Sequence, residues 1–146
     1  MSTKIFINLP VKNLDASKAF YEALGYSINP QFTNESGACV VISEDIYVMI
    51  LTHDFFANFT KKSIIDSHTS VQVLNCLSSE SRQAVEDIVR KAEAAGGRTY
   101  AAPQDHGWMY QHGFEDLDGH IWEVAYMDIS QAPATPEAEP AEMSVA

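Results

Sequence analysis

One order of elements occurs twice along this chain, and it constrains the fold more than any single residue does. Residues 5–11 alternate as a strand, with Ile5, Ile7, Leu9 and Val11 on one face, Phe6 and Asn8 on the other, and Pro10 suited to an edge or a strand end. Residues 14–24 follow with Ala16, Ala19, Phe20, Ala23 and Leu24 at helical spacing, a cap at Asn13 or Asp15, and Gly25 as the stop. Residues 27–32, 38–43 and 46–52 then read as three short strands separated by polar turns. From Ser70 the order returns. Residues 71–77 form a strand, and 80–95 an amphipathic helix that buries Val85, Ile88, Val89 and Ala92 and stops at Gly96-Gly97. Residues 98–101, 108–114 and 121–126 complete the second set of strands. The expectation is an α+β fold of two βαβββ modules, each a curled mixed sheet with one helix packed outside.

The modules fall at 4–53 and 70–128, joined by 54–69, so that 1–128 form one domain. Phe55, Phe56 and Phe59 in the connector are expected to cap the core. Residues 129–146 are rich in Pro, Ala and Glu and poor in large apolar side chains, which predicts a mobile tail. A formal net charge of -11 argues against nucleic acid and anionic membranes as partners. No run is long and apolar enough to cross a bilayer, and no signal-peptide pattern opens the chain, so a cytoplasmic location is expected. The two cysteines, Cys39 and Cys76, sit in apolar segments without CxxC spacing and read as reduced core residues.

The stretch from Phe114 to Val124 carries the chemistry. Asp116-Leu117-Asp118-Gly119 has the composition of a tight hairpin turn. On the returning strand Trp122 and Val124 share one face, while Ile121, Glu123 and Ala125 share the other. Glu123 is thus an acid inside an apolar strand and needs a cation, a donor or a proton. Trp108, Tyr110, His112 and Phe114 alternate on the preceding strand, where they could line a ligand cavity or pack in a core. His120 reads as a surface residue of the turn, and His53 would reach a site only through a strand bulge.

The repeat, with Leu14-Asp15-Ala16-Ser17-Lys18-Ala19-Phe20-Tyr21, Leu24-Gly25-Tyr26, Ala95-Gly96-Gly97 and Asp116-Leu117-Asp118-Gly119 ahead of Glu123, resembles the vicinal oxygen chelate superfamily. That group includes glyoxalase I, extradiol dioxygenases, fosfomycin-resistance enzymes and bleomycin-binding proteins. Asn8-Leu9-Pro10-Val11 and Gly107-Trp108-Met109-Tyr110 look in particular like bacterial sequences described as predicted lactoylglutathione lyases. The resemblance implies a homodimer and a divalent metal held by the first and last strands of each module. Carried over, those positions fall on Phe6, Ile50, Gln72 and Glu123. Phe6 and Ile50 offer no lone pair, so the set is incomplete; Gln72, Glu123 and Asn8, which shares the strand face of Phe6, would supply oxygen only, which suits Mg or Mn better than nickel or zinc.

Two functions follow as expectations. One is a glyoxalase-like lyase or isomerase on a small oxygenated substrate, with Glu123 as ligand or general base. The other is a metal-free protein that binds or sequesters a small aromatic or cationic molecule, using Asn8, Trp108, Tyr110 and His112 around Glu123.

Overall fold

The computed structural model describes residues 2–134, and the expected order of elements is present twice among them. The first half contains β1 (Ile5–Val11), α1 (Leu14–Ala23), β2 (Ser27–Asn29), β3 (Gly37–Val41) and β4 (Ile46–Thr52). A single helical turn, α2 (His53–Phe56), leads into the connector. The second half contains β5 (Leu74–Ser78), α3 (Arg82–Ala94), β6 (Gln104–Asp105), β7 (Met109–Glu115) and β8 (Ile121–Met127). Two four-stranded mixed sheets result, ordered β1-β4-β3-β2 and β5-β8-β7-β6. In each, the first strand pairs parallel with the last and the remaining pairs are antiparallel. The fold is therefore α+β with two βαβββ modules, and β1 and β5 are both sheet edges.

Both long helices start at a side-chain cap. The Asn13 side chain accepts from the Ala16 amide at 3.0 Å, and Ser81 Oγ accepts from the Ala84 amide at 3.0 Å. Each cap satisfies one of the donors that a helix start leaves open. The buried stripe of α1 runs through Leu14, Ser17, Phe20 and Tyr21 to Leu24, whereas Ala19 and Ala23, expected inside, are exposed. The helix is rotated because the hydroxyls of Ser17 and Tyr21 find partners in the other module, so burying them is tolerated.

Several segments depart from their expected form. Pro30 has no N–H to give a ladder, so β2 ends at Asn29 and residues 30–32 make a 3-10 turn. The strand expected at 98–101 is reduced to one bridge, Arg98 with Glu115. Phe55 and Phe59 pack edge-on against each other at 5.3 Å but remain exposed, so they do not cap the core. Cys76 is exposed and not a core residue, because it lies on the face of its sheet away from the helices; Cys39 is buried as expected. Ile129–Gln131 form a 3-10 turn capped by Asp128. Residues 135–146 of the expected mobile tail lie outside the described residues.

The helices pack on one face of each sheet. Ala38 and Val40 of β3, and Val48 and Ile50 of β4, are fully buried against Phe20, Tyr21 and Leu24. Phe114, Trp122 and Val124 play the same part against Val85, Val89 and Ala92 of α3, and the two sets form one continuous cluster. The seam between them is aromatic and polar at once. Phe20 meets Phe114 at 6.2 Å, and Tyr21 meets Trp122 edge-on at 6.3 Å. Within the seam Tyr21 donates its hydroxyl to Asp116 Oδ2 at 2.5 Å and accepts from Trp122 Nε1 at 3.0 Å. Asp116 is buried, and its Oδ1 accepts from the amides of Asp118 at 3.0 Å and His120 at 2.9 Å.

The turn reaches further into the first module. Asp118 Oδ1 accepts from the Lys12 amide at 2.8 Å, and the His120 Nε2 lies 2.7 Å from the Pro10 carbonyl, to which it donates. His120 is accordingly a part-buried bracket between modules and not a free surface residue. Gly119 has φ +87°, and a Cβ there would stand 2.7 Å from the backbone of Ser67 and His68, so the connector lies directly on the turn. Tyr21→Phe leaves the Trp122 N–H and one Asp116 oxygen unpaired in a buried seam. It should cost about 1–3 kcal/mol of stability, read as a lowered denaturant midpoint with an unchanged slope.

Candidate functional site

Glu123 faces away from the helices. Its strand neighbours Trp122 and Val124 are buried in the core, so the pleat turns Glu123 to the opposite, open face with Ile121 and Ala125. The register puts Cys76 of β5 on one side of Glu123 and Gly113 of β7 on the other. Among the described residues the Glu123 carboxylate has no hydrogen-bond or ion-pair partner. Partial desolvation pushes its carboxyl above the ordinary range.

A tyrosine lies over Gly113. A Cβ on Gly113 would collide with Tyr100 Oη, so the absent side chain is what lets the phenol lie on β7 beside Glu123. Burial, followed by the nearby charges of Glu123 and Glu115 and by Cys76, pushes the Tyr100 phenol up to about 12. Burial and Glu123 likewise push the Cys76 thiol up, so it stays protonated at neutral pH. The open face of the second sheet thus gathers a carboxylate, a phenol and a thiol around one strand.

Of the other residues singled out in the sequence, His112 borders the cleft beside Tyr100 and Glu123, and the rest are not gathered there. Tyr110 and His112 pair with Tyr126 and Val124, on the face that packs on α3, and the Tyr110 hydroxyl donates to Glu86 at 2.9 Å. The aromatic row is thereby core on this face; Trp108 is half-buried ahead of β7. His112 is pushed down from the ordinary histidine range, chiefly by desolvation. Gln72 lies before β5, at a cavity of about 230 Å³ beneath the connector, together with Leu9, Phe56 and Val73. Asn8 is on the open face of the first sheet, its amide 3.5 Å from the Phe6 carbonyl.

The register also moves one family position. Ile50 is fully buried against α1, on the wrong face for a ligand. In β4 the residue flanked by β1 and β3 as Glu123 is flanked by β5 and β7 is Met49, paired with Asn8 and Cys39. Open-face neighbours Phe6 and Tyr47 stack at 4.9 Å with their planes 11° apart, and Lys4 stands 5.8 Å from the Tyr47 ring.

These positions do not fit a resident divalent metal. They offer one carboxylate, one thiol, an amide and a thioether, and among the described residues no group of three or more His, Cys, Asp or Glu side chains comes together. Cys76, Tyr100 and Met49 were missed from the sequence. The signal that could have found Tyr100 is the hairpin turn itself: pairing outward from Asp116–Gly119 sets a glycine opposite Glu123, and a glycine there leaves room for another side chain.

Comparisons with known proteins bear on the fold. The family described as Bleomycin resistance protein-like N-terminal matches residues 3–43. A hypothetical protein from S. aureus is 28% identical, with a TM-score of 0.73 over 86% of this chain and 95% of its own. A glyoxalase/bleomycin resistance protein/dioxygenase family enzyme from Burkholderia phytofirmans is similar at 17% identity and TM-score 0.71, covering 86% of this chain and 99% of its own. A bleomycin resistance determinant encoded on the transposon Tn5 reaches TM-score 0.61 at 20% identity, covering 87% and 99% of the two chains. No curated protein matches the sequence significantly. The fold is that of the glyoxalase/bleomycin-resistance/dioxygenase proteins, as the sequence resemblance implied.

The raised Glu123 carboxyl has a measurable consequence. A folded-state value above the unfolded one means that stability falls as pH rises from the unfolded value, about 4.3, through the folded one. Glu123→Gln should therefore be more stable than the parent at neutral pH, and the two should converge below about pH 4 in denaturant titrations.

Proposed function

We propose that the protein is a metal-independent, homodimeric small-molecule-binding protein of the cytoplasm, with Glu123 as the anchor for a cationic group on its ligand. The observation that carries this reading is a half-buried carboxylate with no protein partner among the described residues, on an open sheet face whose other groups cannot complete a metal site. A carboxylate in that state gains most from an incoming cation, which replaces the hydration it has lost. The net charge of -11 adds a field that draws cations to the protein.

The dimer is supported by the two unpaired edges. β1 and β5 carry Ile5, Phe6 and Leu74 at 52%, 53% and 51% exposure, and Val71 and Val73 beside them are as open. Exposed apolar side chains on an unpaired edge are a liability unless a partner covers them. A second copy would cover them. Both thiols are free, which fits a reducing compartment.

Sedimentation should give twice the chain mass, and Leu74→Arg at the β5 edge should give a monomer that retains the parent's far-UV spectrum. Affinity for an aromatic ammonium probe such as phenethylamine should rise as pH rises through the Glu123 titration, because only the carboxylate pairs with the cation. The lyase reading draws support from the raised Glu123 carboxyl, which suits a general base. Turnover of the methylglyoxal–glutathione hemithioacetal that exceeded the Glu123→Gln variant by orders of magnitude would favour it over sequestration.

A further inference from the structure

We propose that Tyr100 is the specificity-determining residue of the Glu123 site: its phenol selects ligands that carry a hydrogen-bond acceptor beside the cationic group. This rests on the reading of Glu123 as the ligand anchor.

The placement of Tyr100 is built, and it is built over Glu123. The segment that carries it is pinned at one end by the paired amides and carbonyls of Arg98 and Glu115, at 3.1 and 2.7 Å. At the other end β6 is held by Arg82, whose guanidinium grips Asp105 with bonds of 2.8 and 2.9 Å. Between these anchors Tyr100, Ala101 and Ala102 lie against Gln111, Gly113 and Glu123, leaving a cleft of only about 10 Å³. Such a space holds about one water. The cleft has no room for a ligand, so a ligand reaches Glu123 from the open sheet face, where the phenol borders the carboxylate.

The chemistry of the pair is complementary. Glu123 offers acceptors only, whereas the phenol stays protonated to about pH 12 and is a fixed donor at physiological pH. Among the described residues the Tyr100 hydroxyl has no hydrogen-bond partner, and no bond joins it to Glu123. The charged groups near it are Glu123 and Glu115, with the neutral Cys76 thiol alongside, and among the described residues no cation forms an ion pair with Glu123. A ligand with an ammonium next to a carbonyl oxygen satisfies both, giving the cation to Glu123 and the oxygen to Tyr100. An α-amino amide has that arrangement. A cation lacking the acceptor would leave the phenol unpaired against the bound ligand, at the cost of one hydrogen bond.

The test uses two matched probes, phenylalaninamide and phenethylamine, which share an aromatic amine skeleton and differ by the carboxamide. Their affinities for the full chain and for Tyr100→Phe and Glu123→Gln are measured by calorimetry at a pH where both are protonated. The parent should bind phenylalaninamide about tenfold more tightly, the worth of one good hydrogen bond. Tyr100→Phe, which keeps the ring, should bring the ratio near one, and Glu123→Gln should weaken both probes. A preference that survives Tyr100→Phe, or a parent with no preference, overturns the assignment of Tyr100 while leaving Glu123 standing. Binding of both probes that ignores Glu123→Gln, or no binding of either, overturns the anchor and the inference together.

Discussion

The buried hydroxyl of Tyr21 is the interaction on which the rest of this molecule depends. It belongs to the helix of the first module, yet both its hydrogen bonds go to the second, to Asp116 and Trp122. Asp116 would be a costly group inside a core if left alone, and burial does push its carboxyl up. It is tolerated because the nearby His120 favours its charge, and because Tyr21 and the amides of Asp118 and His120 donate to it. One aspartate therefore both shapes the hairpin turn and joins the two halves. It is a polar rivet between the two modules in an otherwise apolar seam.

The position of the site follows from that rivet. With Trp122 drawn inward to Tyr21, the strand period leaves Glu123 no choice but the open face, and the hairpin register sets Gly113 opposite it. Gly113 in turn admits Tyr100, which a side chain at 113 would displace. On the first sheet the same period sends Ile50 into the core and Met49 outward, next to an aromatic pair in place of ligands. The open sheet faces present one acid, one phenol and apolar surface. Binding by charge and stacking is what such groups do best.

The fold was legible because its signals are local. Alternation, helical spacing and helix stops are written within a few residues, and they placed β4 correctly and set Glu123 on the face opposite Trp122 and Val124. What the sequence could not carry was contact between distant segments. Ser17 and Tyr21 look like poor core residues until Asp118 and Asp116 are seen beside them. The row of Trp108, Tyr110, His112 and Phe114 alternates correctly, but alternation does not say which face holds the helix. Tyr100 sat in a segment expected to be a strand, and only the chain's crossing over Gly113 brings it to Glu123. Ile50 shows the sharpest form of this limit, since a one-residue shift exchanges core for site.

The central claim is that Glu123 works without a resident metal, and metal stoichiometry tests it most directly. Protein purified without chelator after growth with transition metals available would be assayed for elemental content, then titrated with Mn, Ni and Zn. The account predicts metal well below one equivalent per chain and no saturable binding that depends on Glu123. One equivalent of any divalent metal, retained by the parent and lost in Glu123→Ala, would contradict it.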